Sequence, residues 1–168
     1  MRSLLTRIPK IMLPEIIDRF TKEAGYEFLS NFYRSTVRYD GVLYPTVEHA
    51  YQASKTNDPA LREIIRKSPG PMEAKKLGKG LQLHPNWNEV RIDIMRKLIK
   101  EKFDNPFLGH LLLKTGDAKL VMNNLFNDKF WGVYKGQGEN WLGKILMETR
   151  EQLRIEMKTE DIQNSEIE

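Results

Sequence analysis

The stretch NWNEVRIDIMRKLIKEKF (86–103) constrains the fold most, because its apolar residues recur at helical spacing over five turns. One face of the predicted helix carries Trp87, Val90, Ile94 and Leu98. A second set widens that face: Ile92, Met95 and Ile99. A helix that is apolar over so wide an arc needs neighbours on most of its surface. We therefore expect it to be largely buried.

The composition suits one intracellular domain. A chain of 168 residues with 40% hydrophobic and 30% charged residues can bury a real core. The start, MRSLLTRIPKIMLP, is interrupted by Arg7, Pro9 and Lys10 and lacks a small-residue cleavage site, so we expect no signal peptide. No apolar run approaches the roughly 20 residues of a membrane span. We expect a cytoplasmic protein, either a monomer or a weak oligomer, without membrane association.

Cysteine is absent, which excludes disulfides, thiolate nucleophiles and cysteine metal sites. The formal net charge is +4, and lysines and arginines cluster in KKLGKG (75–80) and RKLIKEK (96–102). Such a surface could bind phosphates or nucleic acid. Each cluster taken alone is more often a solvated helix face.

Local signals predict the elements. STVRYDGVLY (35–44) predicts a β-hairpin, because Asp40-Gly41 supplies the positive φ angles of a type I′ turn. KLVMN (119–123) predicts a short strand. Capping residues and prolines predict helices that start near Thr46, Asp58-Pro59, Pro71, Asn86, Asn105-Pro106 and Trp141.

The predicted fold class is α+β and predominantly α-helical, with one β-hairpin and few short strands. We expect a single domain at residues 25–155. Residues 1–24 are expected to form an N-terminal extension with a short helix from Pro14 to Lys22. Residues 156–168 are polar and acidic, which predicts a frayed helix end followed by a disordered tail.

The segment YPTVEHAYQASK (44–55) places polar side chains that could act in catalysis on one helix. Glu48, Gln52 and Lys55 fall on one narrow stripe, flanked by Tyr51. The opposite side carries the small residues Val47, Ala50, Ala53 and Ser54, which allow close packing. Spacing alone favours a solvent-facing stripe with ordinary pairwise support.

Two loops carry further polar groups. In FLSNFY (28–33), Ser30 and Asn31 lie within an aromatic run, although a turn with side-chain-to-backbone bonds is the commoner outcome. NDKFWGVYKGQGENWLG (127–143) could place backbone N–H groups against a phosphate and an indole against a base. Alternatively, its tryptophans fill the core of a structural connection.

The three histidines, His49, His84 and His110, show no metal-ligand spacing. The groups that remain available for catalysis are carboxylates, lysines and aromatic rings that can stack. That combination suits cleavage of a glycosidic bond, whose oxocarbenium-like transition state is stabilised by nearby negative charge.

The blocks FLSNFY, YPTVEHAYQASK, PMEAKKLG, LLLKTGDAKLV, DKFWG and NWLGKILMETR occur in an order that resembles the YbiA-like, or NADAR, family. The resemblance covers about residues 26–153. It implies an N-glycosidase acting on a ribose-linked nitrogen compound, without a cofactor or a metal. Some members are associated with phosphorylated pyrimidine intermediates of riboflavin synthesis, and others with removal of ADP-ribose from guanine in nucleic acid. The implied partner is thus a small nucleotide-like molecule or ADP-ribosylated nucleic acid.

Site residues follow from the matching motifs. The resemblance implies that Glu48, Lys55 and Asp128 are catalytic. It also implies a set of substrate-binding residues: Ser30, Asn31, Phe32, Arg34, Gln52, Trp131, Gly132 and Asn140. Either Glu48 or Asp128 would stabilise charge at the anomeric carbon, and the other would activate water or protonate the leaving nitrogen. Lys55 would either bind phosphate as a point charge or form a Schiff base with the ring-opened ribose.

One departure from the family pattern bears on activity. An acidic residue often precedes the Asn-aromatic-x-Asp run in the family, and this chain has Met122 or Asn123 there. Either that acid is dispensable, or the substrate or activity of this member differs. The competing hypothesis is a module that binds ADP-ribose, NAD or nucleic acid without cleaving it.

Overall fold

The computed structural model of the protein describes residues 13–165, which form six α-helices and four short strands. The helices are α1 (Val47–Ala53), α2 (Pro59–Arg66), α3 (Pro71–Lys79), α4 (Trp87–Phe103), α5 (Pro106–Leu113) and α6 (Trp141–Ser165). The strands are β1 (Ile16–Ile17), β2 (Val37–Tyr39), β3 (Val42–Tyr44) and β4 (Lys119–Leu120), and Glu27–Leu29 form a 3-10 turn. The predominantly helical α+β class is confirmed. Within residues 13–165 no helix is long and apolar enough to cross a membrane.

The local start signals act as the sequence predicts. The side chains of Thr46, Asp58 and Asn105 each accept hydrogen bonds from backbone N–H groups in the first turn of α1, α2 and α5. Asp40 and Gly41 have φ angles of 46° and 79°, which is the geometry of a type I′ turn between β2 and β3. Capping and turn chemistry therefore set the boundaries of these elements.

Helix α4 lies in the core and contacts α1, α5, α6 and β2. Its buried residues include Trp87, Ile94, Met95, Leu98, Ile99 and Phe103. Val90 and Ile92 are half-buried. The expectation of a largely buried helix is confirmed.

Helix α1 is buried along its whole length. It contacts α2, α3, α4 and both hairpin strands, and all seven of its residues are buried. The stripe of Glu48 and Gln52 therefore does not face solvent. The solvent-facing stripe that spacing alone favoured is wrong. The small residues Ala50 and Ala53 are fully buried and let the neighbouring helices approach.

The first described residues differ from the prediction. A short helix was expected from Pro14 to Lys22, but Ile16–Ile17 form β1, which pairs in parallel with β4. Lys119 N donates to Glu15 O, and Val121 N donates to Ile17 O. These pairing partners lie about a hundred residues along the chain, so local propensity does not reveal them. Residues 1–12 of the predicted extension lie outside the described residues.

The last helix is longer than expected. It runs to Ser165 and so includes most of the predicted acidic tail at residues 156–168. No glycine or proline interrupts residues 154–165, and Gln152 donates a hydrogen bond to Glu156 one turn later. Residues 166–168 lie outside the described residues.

Glycine at position 78 lets α1 and α3 pack closely, because a Cβ atom there would overlap the side-chain amide of Gln52. We expect Gly78→Ala to destabilise the protein by about 1–2 kcal/mol, since the overpacking cost exceeds the gain in helix propensity. The measurement is urea denaturation at neutral pH.

Gly80→Ala is the matched control, because a Cβ at Gly80 meets only Leu77 O at 3.8 Å. Its unfolding free energy should stay within about 0.5 kcal/mol of wild type. Equal stability of the two alanine variants would contradict the packing argument.

Lys102 is a buried lysine with 0% exposure, and its Nζ donates to the Ser30 carbonyl oxygen at 2.8 Å. Burial lowers the pKa of Lys102 from 10.5 to about 7. Between these two pKa values the unfolded chain binds more protons than the folded chain. Wild type should therefore gain stability relative to Lys102→Met as the pH rises from about 7 to about 10.

Below about pH 7 the difference between the two proteins should be flat, because Lys102 is protonated in both states. The measurement is urea denaturation of wild type and Lys102→Met at about pH 6, 8 and 9.5. Parallel pH profiles for the two proteins would show that burial does not shift this lysine.

Candidate active site

A cavity of about 720 Å³ lies where α1, α3 and α4 meet two loops. The first loop contains residues 30–32, and the second contains residues 122–131. Residues 18–21, directly after β1, add to the rim. The volume is in the range of cavities that bind a nucleotide-sized molecule.

The structure brings most of the predicted site residues to this cavity. Eight of them line it: Ser30, Asn31, Phe32, Glu48, Gln52, Lys55, Asp128 and Trp131. The chain segments that carry them are far apart in sequence. The cavity therefore joins the three motifs that the sequence singled out.

Three predicted residues lie outside the cavity lining. Arg34 is exposed. Asn140 donates through Nδ2 to Leu120 O and accepts through Oδ1 from Met122 N, so its amide holds the chain that leaves β4. A Cβ at Gly132 would overlap Met122 O. Asn140 and Gly132 thus shape the second loop.

Glu48 is 6% exposed and accepts a hydrogen bond from Gln52 Nε2 at 2.7 Å. Burial raises the pKa of Glu48, although the Gln52 hydrogen bond, Lys75 and Lys55 oppose that shift. Its backbone N donates to Asn31 O, which ties α1 to the first loop. A buried carboxyl with a raised pKa can act as a proton donor near neutral pH.

Three lysines line the cavity, and the charges of two of them, Lys55 and Lys75, act on this carboxyl. Burial lowers the pKa of Lys55, and Lys75 and Lys79 lower it further, while Glu48 opposes them. Lys75 and Lys79 are one turn apart on α3 and both line the cavity. Neighbouring ammonium groups repel one another, so this cluster favours an anionic ligand.

Aromatic rings form a wall of the cavity, and Lys55 Nζ lies 5.6 Å from the ring centroid of Tyr51 and 6.0 Å from that of Trp87. The ring centroids of Tyr51 lie 5.3 Å from those of Trp87 and Trp131, and Trp131 lies 4.9 Å from Phe130. Trp131 Nε1 donates to Tyr51 Oη at 3.1 Å, and burial raises the pKa of Tyr51. The wall offers flat apolar surfaces for a ring system.

Asp128 organises the second loop. Its Oδ1 accepts from the backbone N–H groups of Phe130 at 3.1 Å and Trp131 at 2.9 Å. Asn124 holds the same residue from the other side, because its Nδ2 donates to Asp128 O and its Oδ1 accepts from Asp128 N. The carboxylate thereby fixes the position of the Trp131 ring. Met122 and Asn123, where the family pattern often has an acid, also line the cavity.

Sequence reasoning missed several lining residues. Trp87, Arg91 and Met95 follow one another at every fourth position of α4 and all line the cavity. A charged residue within an apolar helical stripe was the available signal for Arg91. Lys75 and Lys79 belong to the basic cluster KKLGKG (75–80), for which the sequence favours a solvated helix face. Only tertiary packing reveals that both lysines line the cavity.

Buried polar atoms also mark the cavity. Among the side chains that the structure describes, three buried atoms lack a hydrogen-bond partner in the protein: Asn31 Oδ1, Gln52 Oε1 and Arg91 Nε. All three belong to residues that line the cavity. Buried polar groups without a partner are rare in native proteins. The described residues contain no group of three or more acidic or histidine side chains arranged to hold a metal ion.

Comparison with known proteins identifies the family. The NADAR domain family matches residues 19–154. The N-glycosidase YbiA of Escherichia coli is 41% identical over 154 residues, which cover 89% of this chain and 96% of that protein. An N-glycosidase of Nostoc punctiforme is 38% identical over 136 residues, which cover 77% of this chain and 86% of that protein.

A riboflavin biosynthesis protein of Vibrio vulnificus is 36% identical over 156 residues, which cover 90% of this chain and 42% of that protein. The NMR structure of Escherichia coli YbiA superposes with a TM-score of 0.77 and covers 90% of this chain and 92% of its own. The resemblance drawn from the ordered motifs is confirmed. The chain belongs to the NADAR family and is an N-glycosyl hydrolase.

Proposed function

We propose that the protein hydrolyses the N-glycosidic bond of a small, ribose-linked and phosphate-bearing substrate of the phosphoribosylamino-pyrimidine type. One observation carries this proposal: a single cavity brings the buried carboxyl of Glu48 together with a lysine cluster and an aromatic wall. A sugar phosphate needs the lysine cluster, and a base needs the aromatic wall. The riboflavin biosynthesis relative supports this substrate over ADP-ribosylated guanine in nucleic acid.

The lysine cluster is the proposed phosphate site. Lys55, Lys75 and Lys79 act as compact point charges at the rim, and their mutual repulsion falls when a phosphate binds. Lys55 then serves as a charge rather than as a covalent nucleophile. The orphaned oxygen of Asn31 accepts a hydrogen bond from a ribose hydroxyl.

Glu48 is the proposed general acid, since burial raises its pKa. It donates its proton to the leaving nitrogen while the bond between that nitrogen and the anomeric carbon breaks. Asp128 provides the negative charge that stabilises the oxocarbenium-like transition state. Water then adds to the anomeric carbon and gives a proton to the Glu48 carboxylate, so the acid is regenerated and the products are the free amine or base and the ribose phosphate. Trp131 and Tyr51 hold the base.

The first test is product analysis by mass spectrometry with wild type, Glu48→Gln and the control Glu89→Gln, whose side chain is exposed on α4. The panel contains a phosphoribosylamino-pyrimidine, an ADP-ribosylated guanine oligonucleotide, NAD and ADP-ribose. We expect wild type and Glu89→Gln to release the pyrimidine, and Glu48→Gln to be slower by about a hundredfold or more.

The pH dependence has a definite sign. Because the acid must be protonated, wild-type kcat/KM should fall as the pH rises through the raised pKa of Glu48.

In the substrate panel, release from the oligonucleotide alone would move the substrate to modified nucleic acid. No release from any substrate, with equal ADP-ribose binding by all three proteins, would support the binding module instead.

Lys55→Arg separates the two roles of that lysine. Arginine keeps the positive charge but cannot form a Schiff base, so a point-charge role predicts kcat within about tenfold of wild type. The measurements are steady-state turnover and calorimetric binding of ribose 5-phosphate. Abolished turnover with intact ribose 5-phosphate binding would instead assign Lys55 the covalent role.

A further inference from the structure

Arg91 is a cavity residue that the proposed reaction does not use. It lies on α4 between Trp87 and Met95, one turn from each, and all three line the cavity. Its guanidinium carbon lies 3.6 Å from the ring centroid of Phe130. This distance is that of a guanidinium stacked against an aromatic face, which fixes its plane.

The stacked guanidinium of Arg91 has N–H donors without acceptors in the protein. Its Nε is buried without a hydrogen-bond partner, and among the side chains that the structure describes none forms an ion pair with Arg91 or accepts a hydrogen bond from it. A buried N–H group without an acceptor is costly. The arrangement therefore suits a ligand that brings an acceptor into the plane of the guanidinium.

Ring contacts distinguish Arg91 from the lysine cluster. Lys55 Nζ lies 5.6 Å from the ring centroid of Tyr51, and Lys75 Nζ lies 5.8 Å and 5.6 Å from those of Phe32 and Phe126. Arg91 stacks on Phe130 instead. The guanidinium and the lysines of the cavity therefore contact different rings.

The surroundings of Arg91 favour a base over a phosphate. Arg91 stacks on Phe130, which contacts Trp131. A phosphate beside Arg91 would exchange water for a single guanidinium, whereas the lysine cluster offers three amines. A flat base can lie against the rings and direct a carbonyl oxygen from its edge into the guanidinium fork.

We propose that Arg91 selects the leaving base by donating hydrogen bonds to a ring carbonyl oxygen, which restricts the enzyme to oxo-substituted bases such as pyrimidinones and purinones. An amino group at the same ring position would face the guanidinium donor to donor and be rejected. This proposal rests on the proposed N-glycosidic reaction and adds the residue that determines base specificity.

The experiment compares wild type with Arg91→Met and with Arg96→Met, a control arginine on the same helix that pairs with Asp93 and Glu148 outside the cavity. Calorimetry measures binding of two free bases that differ at one ring position, diaminopyrimidinone and triaminopyrimidine, at a pH where both are uncharged. Binding of ribose 5-phosphate, which lacks the base, is measured in parallel.

We expect wild type and Arg96→Met to bind the oxo base about tenfold or more tightly than its amino counterpart. Arg91→Met should lose that preference and should raise KM for the cleaved substrate, while its affinity for ribose 5-phosphate stays within about twofold of wild type. Lys75→Met should show the converse, with weaker ribose 5-phosphate binding and an intact base preference.

Two results would overturn the assignment. Weaker ribose 5-phosphate binding by Arg91→Met, with base preference retained, would make Arg91 a phosphate ligand. Unchanged binding of all three probes would leave it a structural residue that packs on Phe130. Because these binding measurements need no turnover, they remain decisive if the substrate panel shows that the proposed reaction is wrong.

Discussion

The burial of a polar helix is the constraint on which the rest of the structure depends. Helix α1 places Glu48 and Gln52 inside the protein, although removing a carboxyl from water is costly. The Gln52 hydrogen bond and the nearby lysines offset part of that cost. The small residues Ala50 and Ala53, together with Gly78 of α3, let neighbouring helices close around α1. Close packing thus creates the low-polarity surroundings that raise the pKa of Glu48.

Amines and aromatic rings surround this carboxyl together. Lys55, just after α1, lies with its Nζ 5.6 Å from the ring centroid of Tyr51, and Lys75 on α3 lies with its Nζ 5.6 Å from that of Phe126. A substrate that carries a phosphate and a base can contact the amines and the rings at once. Binding energy at groups remote from the reacting bond then orients the ribose for catalysis.

The sequence predicted what local chemistry determines. Capping side chains such as Thr46 and Asp58 specify where helices begin, and Asp40-Gly41 specifies the hairpin, because these signals act within a few residues. The ordered motifs supplied the family. Contacts across long separations were not predictable: Trp131 bonds Tyr51, 80 residues away, and β1 pairs with β4. Such contacts depend on how the helices pack, which periodicity does not encode.

The same distinction explains the error about the α1 stripe. Spacing identifies which side chains share a face but not what covers that face, and here the loop of residues 28–33 provides part of the cover. Glu48 N donates to Asn31 O on that loop, and buried Lys102 donates to Ser30 O beside it. Replacing buried polar groups by apolar ones often raises stability. In this protein such replacements would loosen the loop of residues 28–33 or remove the polar groups around Glu48. The buried polar groups that limit stability are therefore those that build the site.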